Sequence, residues 1–151
     1  MKQYHHIEKI QTTEPISIVK LDEDINSAIR HCDITDGFVI ISSRHTTTGI
    51  TINEYEPRLL EDMKIWLSKL VPKSDKYLHN DISERNCPPD EPENAHSHLM
   101  AMLLGSSESI PIANRKMQLG EYQSVMLIDL DGPRERTINI QVFGDVRQPW
   151  R

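Results

Sequence analysis

Three histidines have the chemistry to bind a metal ion or carry a proton, and each stands in a different local setting. His45 follows an apolar run and opens Arg44-His45-Thr46-Thr47-Thr48-Gly49. His79 lies in the polar stretch Tyr77-Leu78-His79-Asn80-Asp81. His98 recurs with Ala95, Leu99 and Met102 at helical spacing, which predicts a side chain turned toward the protein. Neutral imidazole is both a common transition-metal ligand and a common proton carrier, so the three together suggest a metal site. They are far apart along the chain, and only the fold can gather them. Each also has an ordinary reading: His98 as a locally satisfied core residue, His45 as part of a strand end, His79 as an exposed loop residue. His96 points to another side of its helix than His98, so the two do not form a chelating pair.

Other residues could assist. Asn53-Glu54 closes the strand after the threonines and could approach His45 through a hairpin. Glu54 could act as a ligand, orient an imidazole, serve as a general base, or merely cap the helix that follows. Gly49 would let the backbone turn or approach a ligand closely. In Asp131-Gly132-Pro133-Arg134-Glu135-Arg136, the two arginines alternate and could clamp a phosphate. Spacing alone favours the alternative, in which they pair with Asp129, Asp131 or Glu135. The sequence has no phosphate-binding loop, dinucleotide fingerprint, nucleophile elbow or His-Glu-x-x-His motif.

The elements that must position these residues read as an α+β domain with a mainly antiparallel sheet and three helices. Strands are predicted over residues 2–10 and 15–20. A helix follows, striped by Leu21, Ile25, Ala28, Ile29 and Cys32, with Asp22 or Asp24 able to cap it. Phe38 to Ser42 is a run of β-formers, and Ile50 to Asn53 alternates like a half-buried strand. Pro57 suits the first turn of a second helix, striped by Leu59, Leu60, Met63, Leu67, Leu70 and Val71 and ended by Pro72. Residues 73–93 form a long polar loop, the kind that often serves as a functional segment or lid. A third helix, striped by Ala95, Leu99, Met102 and Leu103, ends at Gly105. Short strands flank Asn114-Arg115, and longer ones span Tyr122 to Asp129 and Arg136 to Phe143. The last strand has Ile138, Ile140 and Val142 on one face and Thr137, Asn139 and Gln141 on the other, a polar face for solvent or for a partner subunit.

The chain's 151 residues suit one domain, expected over 1–151, and are enough for a core without staples. The formal net charge of -6, with no basic run, argues against nucleic acid as a partner. No segment is apolar enough to span a membrane, and the first residues lack the apolar run of a signal peptide. Cys32 and Cys87 form no Cys-x-x-Cys pair. A reduced, cytoplasmic protein is the simplest expectation.

Several motifs in fixed order resemble the YjbQ family. They are His45-Thr46-Thr47 with Asn53-Glu54, Tyr77 with His79, Ser97-His98-Leu99 running into Leu104-Gly105-Ser106-Ser107, and Ile110-Pro111-Ile112. Gln118-Leu119-Gly120-x-Tyr122-Gln123 and Asp131-Gly132-Pro133-Arg134-x-Arg136 complete the set. The chain departs from the family by having Arg115 in place of a usual glycine, which shifts the demand for a left-handed turn residue onto Asn114. The resemblance implies a homotrimeric α+β fold with a site near subunit contacts. His45, His79 and His98 would be metal ligands, with His79 also catalytic beside Glu54 and Arg136. Asn53, Gln123 and Arg134 would contact cofactor or substrate. The implied function is a metal-assisted enzyme acting on a small phosphorylated compound, with thiamine-phosphate synthesis as the family's associated activity. The alternative is a trimeric metal- or ligand-binding protein without turnover. Three histidines favour Zn²⁺, whereas Mg²⁺, the usual partner of pyrophosphate, prefers oxygen ligands.

Overall fold

A computed structural model describes residues 1–146; residues 147–151 of the expected domain lie outside the described range. The strands are β1 (Lys2–Gln11), β2 (Ser17–Lys20), β3 (Asp36–Ser43), β4 (Thr48–Asn53), β5 (Ser107–Ala113), β6 (Lys116–Met117), β7 (Ser124–Asp129) and β8 (Glu135–Asp145). The helices are α1 (Asp22–His31), α2 (Pro57–Leu70) and α3 (Ala95–Leu104). Every strand pairing is antiparallel, in a five-stranded sheet ordered β1-β8-β3-β5-β6 and a three-stranded sheet ordered β2-β7-β4.

The main core forms where the inner face of the large sheet meets the small sheet and α1. Val39, Ile41, Ile110, Ile138, Ile140 and Val142 from the large sheet pack with Ile50, Val125 and Leu127 from the small one and with Ile25 and Ile29 of α1. The opposite face of the small sheet is covered by α2 and α3, where Leu67 and Met100 meet Ile128 and Leu130. Strand β7 is therefore buried on both faces, which explains why Val125 to Ile128 is a continuous apolar run rather than an alternating one.

Several local expectations are corrected. α1 has Leu21 at its N-cap and no side-chain cap; Asp22 instead accepts the Val125 N–H at 2.8 Å, tying the helix to β7. α2 does begin at Pro57, but Glu56, not Glu54, caps it by accepting the N–H groups of Arg58 and Leu59. β3 and β4 belong to different sheets and do not form a hairpin.

α3 buries Ala95 of its predicted stripe but otherwise turns the other way. Ser97, Met100, Ala101 and Leu104 face the small sheet, while Leu99, Met102 and Leu103 are exposed, Met102 by 79%. Almost every side of this helix is apolar, so periodicity could not single out the buried one. The loop over 73–93 contains two single 3-10 turns, Leu78–Asn80 and Ile82–Glu84. At the β5–β6 hairpin both Asn114 and Arg115 take positive φ, 51° and 62°. Arg115 is held in that unfavoured conformation by hydrogen bonds to the Arg30 carbonyl and Asp33.

Candidate active site around His45 and His98

The segment between β3 and β4 is clasped on several sides. Arg44 N–H donates to the Thr137 carbonyl at 3.2 Å, and Leu130 N–H donates to the Thr47 carbonyl at 3.0 Å. Ser43 Oγ accepts the His45 N–H at 3.2 Å and makes a short hydroxyl contact with Thr48. His45 thus sits where the ends of both sheets converge. Its Nε2 accepts the backbone N–H of Thr137 at 2.8 Å. An N–H can only donate, so Nε2 holds the lone pair, and in the neutral ring the proton is on Nδ1.

Gly49 serves packing. A Cβ at that position would lie 2.5 Å from Leu104 Cβ, so glycine lets α3 close onto β4. The close approach creates a cleft of about 440 Å³, with His45, Thr46 and Thr48 on one wall, His98, Ala101 and Met102 on the other, and Gly105 and Ser106 at its end. Burial lowers the pKa of His45, and the positive charges of Arg136, Arg44 and Arg134 lower it further against an opposing effect of Asp129. Burial also lowers His98, followed by the charge of His79 and then Arg85, with Asp131 and Glu91 opposing.

His79 joins His98 through a cap. Asn80 Oδ1 accepts the N–H of Ala95, the first residue of α3, at 3.1 Å. This fixes the single turn carrying His79 against the start of that helix, and Arg85 braces it by donating to the His79 carbonyl at 2.7 Å. The rings of His79 and His98 meet edge to face with centroids 4.8 Å apart. One pair of the predicted histidines is therefore in contact, and His98 also shares its cleft with His45.

Beside the cleft lies a buried ionic centre. Arg136 Nη2 donates to Asp129 Oδ1 at 2.6 Å and to Thr47 Oγ1 at 3.0 Å. Asp129 also accepts the Thr12 hydroxyl at 2.6 Å and the Asp131 N–H at 3.0 Å. Burial alone would raise the Asp129 pKa, but these hydrogen bonds and the Arg136 charge outweigh it and hold the carboxyl below its ordinary value. Arg136 Nε is buried without a hydrogen-bond partner among the described residues. Asp131 forms a second hub, taking Asn94 Nδ2 at 2.8 Å and Arg134 at 2.9 Å.

The expected double-arginine clamp is not formed. Arg136 points into the core with Ile138 and Ile140, while Arg134 precedes β8, is exposed and folds back on Asp131. Asn53, Glu54 and Gln123 lie elsewhere. Thr48 pairs with Asp129 and Asn53 with Ser124, so the His45 end and the Asn53 end are opposite ends of one ladder, roughly 17 Å apart. Asn53 Oδ1 accepts the Glu54 N–H, and Gln123 Oε1 accepts the Gly120 N–H at 2.8 Å, so both amides serve turns.

Sequence reasoning missed Thr12 and Asn94. Thr12 carries no motif, and Asn94 resembles a helix cap but spends its amide on Asp131. The three-histidine metal set does not fit within one chain. Among the described residues no three of His, Cys, Asp and Glu are placed to hold an ion, and the lone pair of His45 Nε2 is already engaged.

A fold of two antiparallel sheets with this histidine-lined cleft defines a small α+β protein with a candidate small-molecule site. The family model for YjbQ-like UPF0047 proteins matches residues 6–145, and the chain belongs to that family. A UPF0047 protein of Methanothermobacter thermautotrophicus is 35% identical over 95% of this chain and 94% of its own. One from Archaeoglobus fulgidus is 34% identical over 89% of this chain and 97% of its own. Among solved structures, a protein of unknown function from Sulfolobus solfataricus superposes with a TM-score of 0.86 at 29% identity, covering 95% of this chain and 99% of the other. An uncharacterised member from Clostridium acetobutylicum gives 0.81 at 30% identity, covering 91% and 99%. No helix among the described residues is long and apolar enough to cross a membrane.

Proposed function

We propose that this chain is an enzyme acting on a small phosphorylated compound bound in the cleft between His45 and His98. The observation that carries the reading is the pairing of two imidazoles, one on each wall of the cleft. Of the arginines near His45, Arg134 and Arg136 are paired with Asp131 and Asp129, which leaves exposed Arg44 to favour an anionic group and an anionic leaving group. Burial and the charge of His79 lower the His98 pKa below its ordinary 6.5, so the ring stands neutral near pH 7 and is able to accept a proton there. No step is assigned to a metal, because one chain does not assemble the ligand set.

Thiamine-phosphate synthesis is the first reaction to test. There a thiazole phosphate nitrogen displaces pyrophosphate from a pyrimidine methyl diphosphate, and the departing charge would lie toward Arg44. Hydrolysis of phosphate esters is the second. Purified protein is assayed for both, with His98→Ala alongside. The expected result is turnover that His98→Ala lowers by roughly 100-fold, with unchanged circular dichroism. Turnover equal in wild type and His98→Ala rejects the assignment.

A second reading is a ligand-binding protein without turnover, favoured by saturable binding of a phosphorylated compound with no reaction. Under either reading we propose a homotrimer. Leu99, Met102 and Leu103 leave an apolar surface on α3, beside the cleft, and a helix apolar on all sides is ordinarily covered on all sides.

A further inference from the structure

We infer that His45 acts on its ligand as a neutral hydrogen-bond donor through Nδ1–H, aimed at an anionic oxygen, and not as a metal ligand. The inference deepens the phosphorylated-substrate reading and rests on it for the ligand's identity. It begins with the 2.8 Å bond from Thr137 N–H to His45 Nε2. That bond consumes the only lone pair in the plane of a neutral imidazole. The other nitrogen must then carry the proton. A metal at Nε2 would displace the Thr137 N–H from that bond. A metal at Nδ1 would require an imidazolate, having lost the ring's last proton.

The exposure of Nδ1 follows from what it lacks. It makes no hydrogen bond to any described residue, and it is not among the buried polar atoms left without one. It is therefore open to solvent, on a residue that lines the cleft with Thr46, Thr48 and His98. A donor there complements an oxygen anion, and exposed Arg44 beside it adds a charge of the matching sign, while Arg134 and Arg136 are paired with Asp131 and Asp129.

The backbone is built to hold the ring so. Thr137 is bonded twice to the segment, by its N–H to the His45 imidazole and by its carbonyl to Arg44 N–H at 3.2 Å. Arg136, the residue before Thr137, reaches back to Thr47 at 3.0 Å. These three bonds lock the segment to the start of β8 on both sides of His45. The tautomer is thus set by main-chain geometry before any ligand arrives, and the donor is preorganised.

The test uses intact wild-type protein labelled with ¹⁵N and reads the two ring nitrogens of His45 by long-range proton correlation, assigned by comparison with His45→Gln. The expected spectrum shows a protonated Nδ1 and an unprotonated Nε2, with Nδ1–H moving downfield on addition of pyrophosphate. Zn²⁺ added alone should leave both signals in place. An Nε2–H tautomer, or loss of the His45 signals on Zn²⁺ addition, overturns the donor role. Pyrophosphate binding measured by calorimetry without a change at His45 also overturns it, while leaving the phosphorylated-substrate reading intact. Absence of pyrophosphate binding rejects both. In the variants, His45→Ala should weaken pyrophosphate by roughly tenfold to a hundredfold, the value of one hydrogen bond to a charged group. His45→Asn, whose amide nitrogen stands near the place of Nδ1, should recover part of that loss.

Discussion

Arg136 Nη2 lies 2.6 Å from Asp129 Oδ1, and the two side chains have only 4% and 0% of their surface open to water. The pair joins the start of β8 to the end of β7, and through Thr47 it also holds the segment that carries His45. Removing one partner would leave the other charge buried and uncompensated. Arg136→Ala and Asp129→Ala are each expected to cost about 3–5 kcal/mol, measured by urea denaturation. Nη2 alone makes both bonds, so Arg136→Lys, which keeps a charged multiple donor on a somewhat shorter stem, should recover part of that loss.

Thr12 supports that pair from β1's far end. Its hydroxyl donates to Asp129 Oδ2 at 2.6 Å and accepts the Arg134 N–H at 2.9 Å. Thr12→Val keeps the shape and removes both bonds. The expected loss is roughly 1–3 kcal/mol. Thr12→Ser should restore most of it in the same denaturation experiment.

Gly49 and Leu104 set the width of the cleft. Gly49→Ala places a methyl group 2.5 Å from Leu104 Cβ unless α3 moves away. Destabilisation of about 1–3 kcal/mol is expected, with amide shifts concentrated in β4 and α3. Leu104→Ala keeps that Cβ, so the double variant should recover none of the lost stability in a thermal melt.

Acid should weaken the fold below the ordinary histidine value. Burial lowers His45, His96 and His98 in the folded chain from 6.5, so the unfolded chain binds their protons first as pH falls. Their contribution is complete above pH 6.5 and declines below it until the folded rings also titrate. Asp24, raised by burial and by Glu8 and Glu23, acts in the opposite sense but only in the carboxylate range. Asp129, lowered in the fold, adds its loss further down, as pH falls below about 3.9 and through its folded value. Denaturation midpoints between pH 7 and 5 should fall in wild type and fall less in a His45→Gln, His96→Gln, His98→Gln triple variant.

The exposed side of α3 tests the proposed trimer. Leu99→Glu with Leu103→Glu places charge on a surface that already faces solvent in the single chain. Light scattering is expected to give three chain masses for wild type and one for the double variant, with the helical signal retained. Three chain masses in both would remove α3 from the subunit contact.

The fold class, the three helices and nearly every strand were legible because their causes are local. β-formers alternate along β8, a stripe marks α1, and Pro57 and Gly105 end or begin their helices as backbone chemistry requires. His45, His79 and His98 stood out in the sequence as candidates, of which the fold brings His79 against His98 and His98 into a shared cleft with His45, and the ion-pairing alternative for Arg134 and Arg136 is their arrangement. What the fold alone decided is direction and company. The buried side of α3 could not be read, since apolar residues surround it. β4 runs straight from the His45 end of its ladder to the Asn53 end, so the length of that strand keeps the two apart. The state of His45 rests on Thr137, a residue 92 positions away, and that of Arg136 on a carboxylate and a hydroxyl from different segments. Local sequence carries propensity and period, but which donor meets which lone pair depends on chain segments brought together only by the packed core.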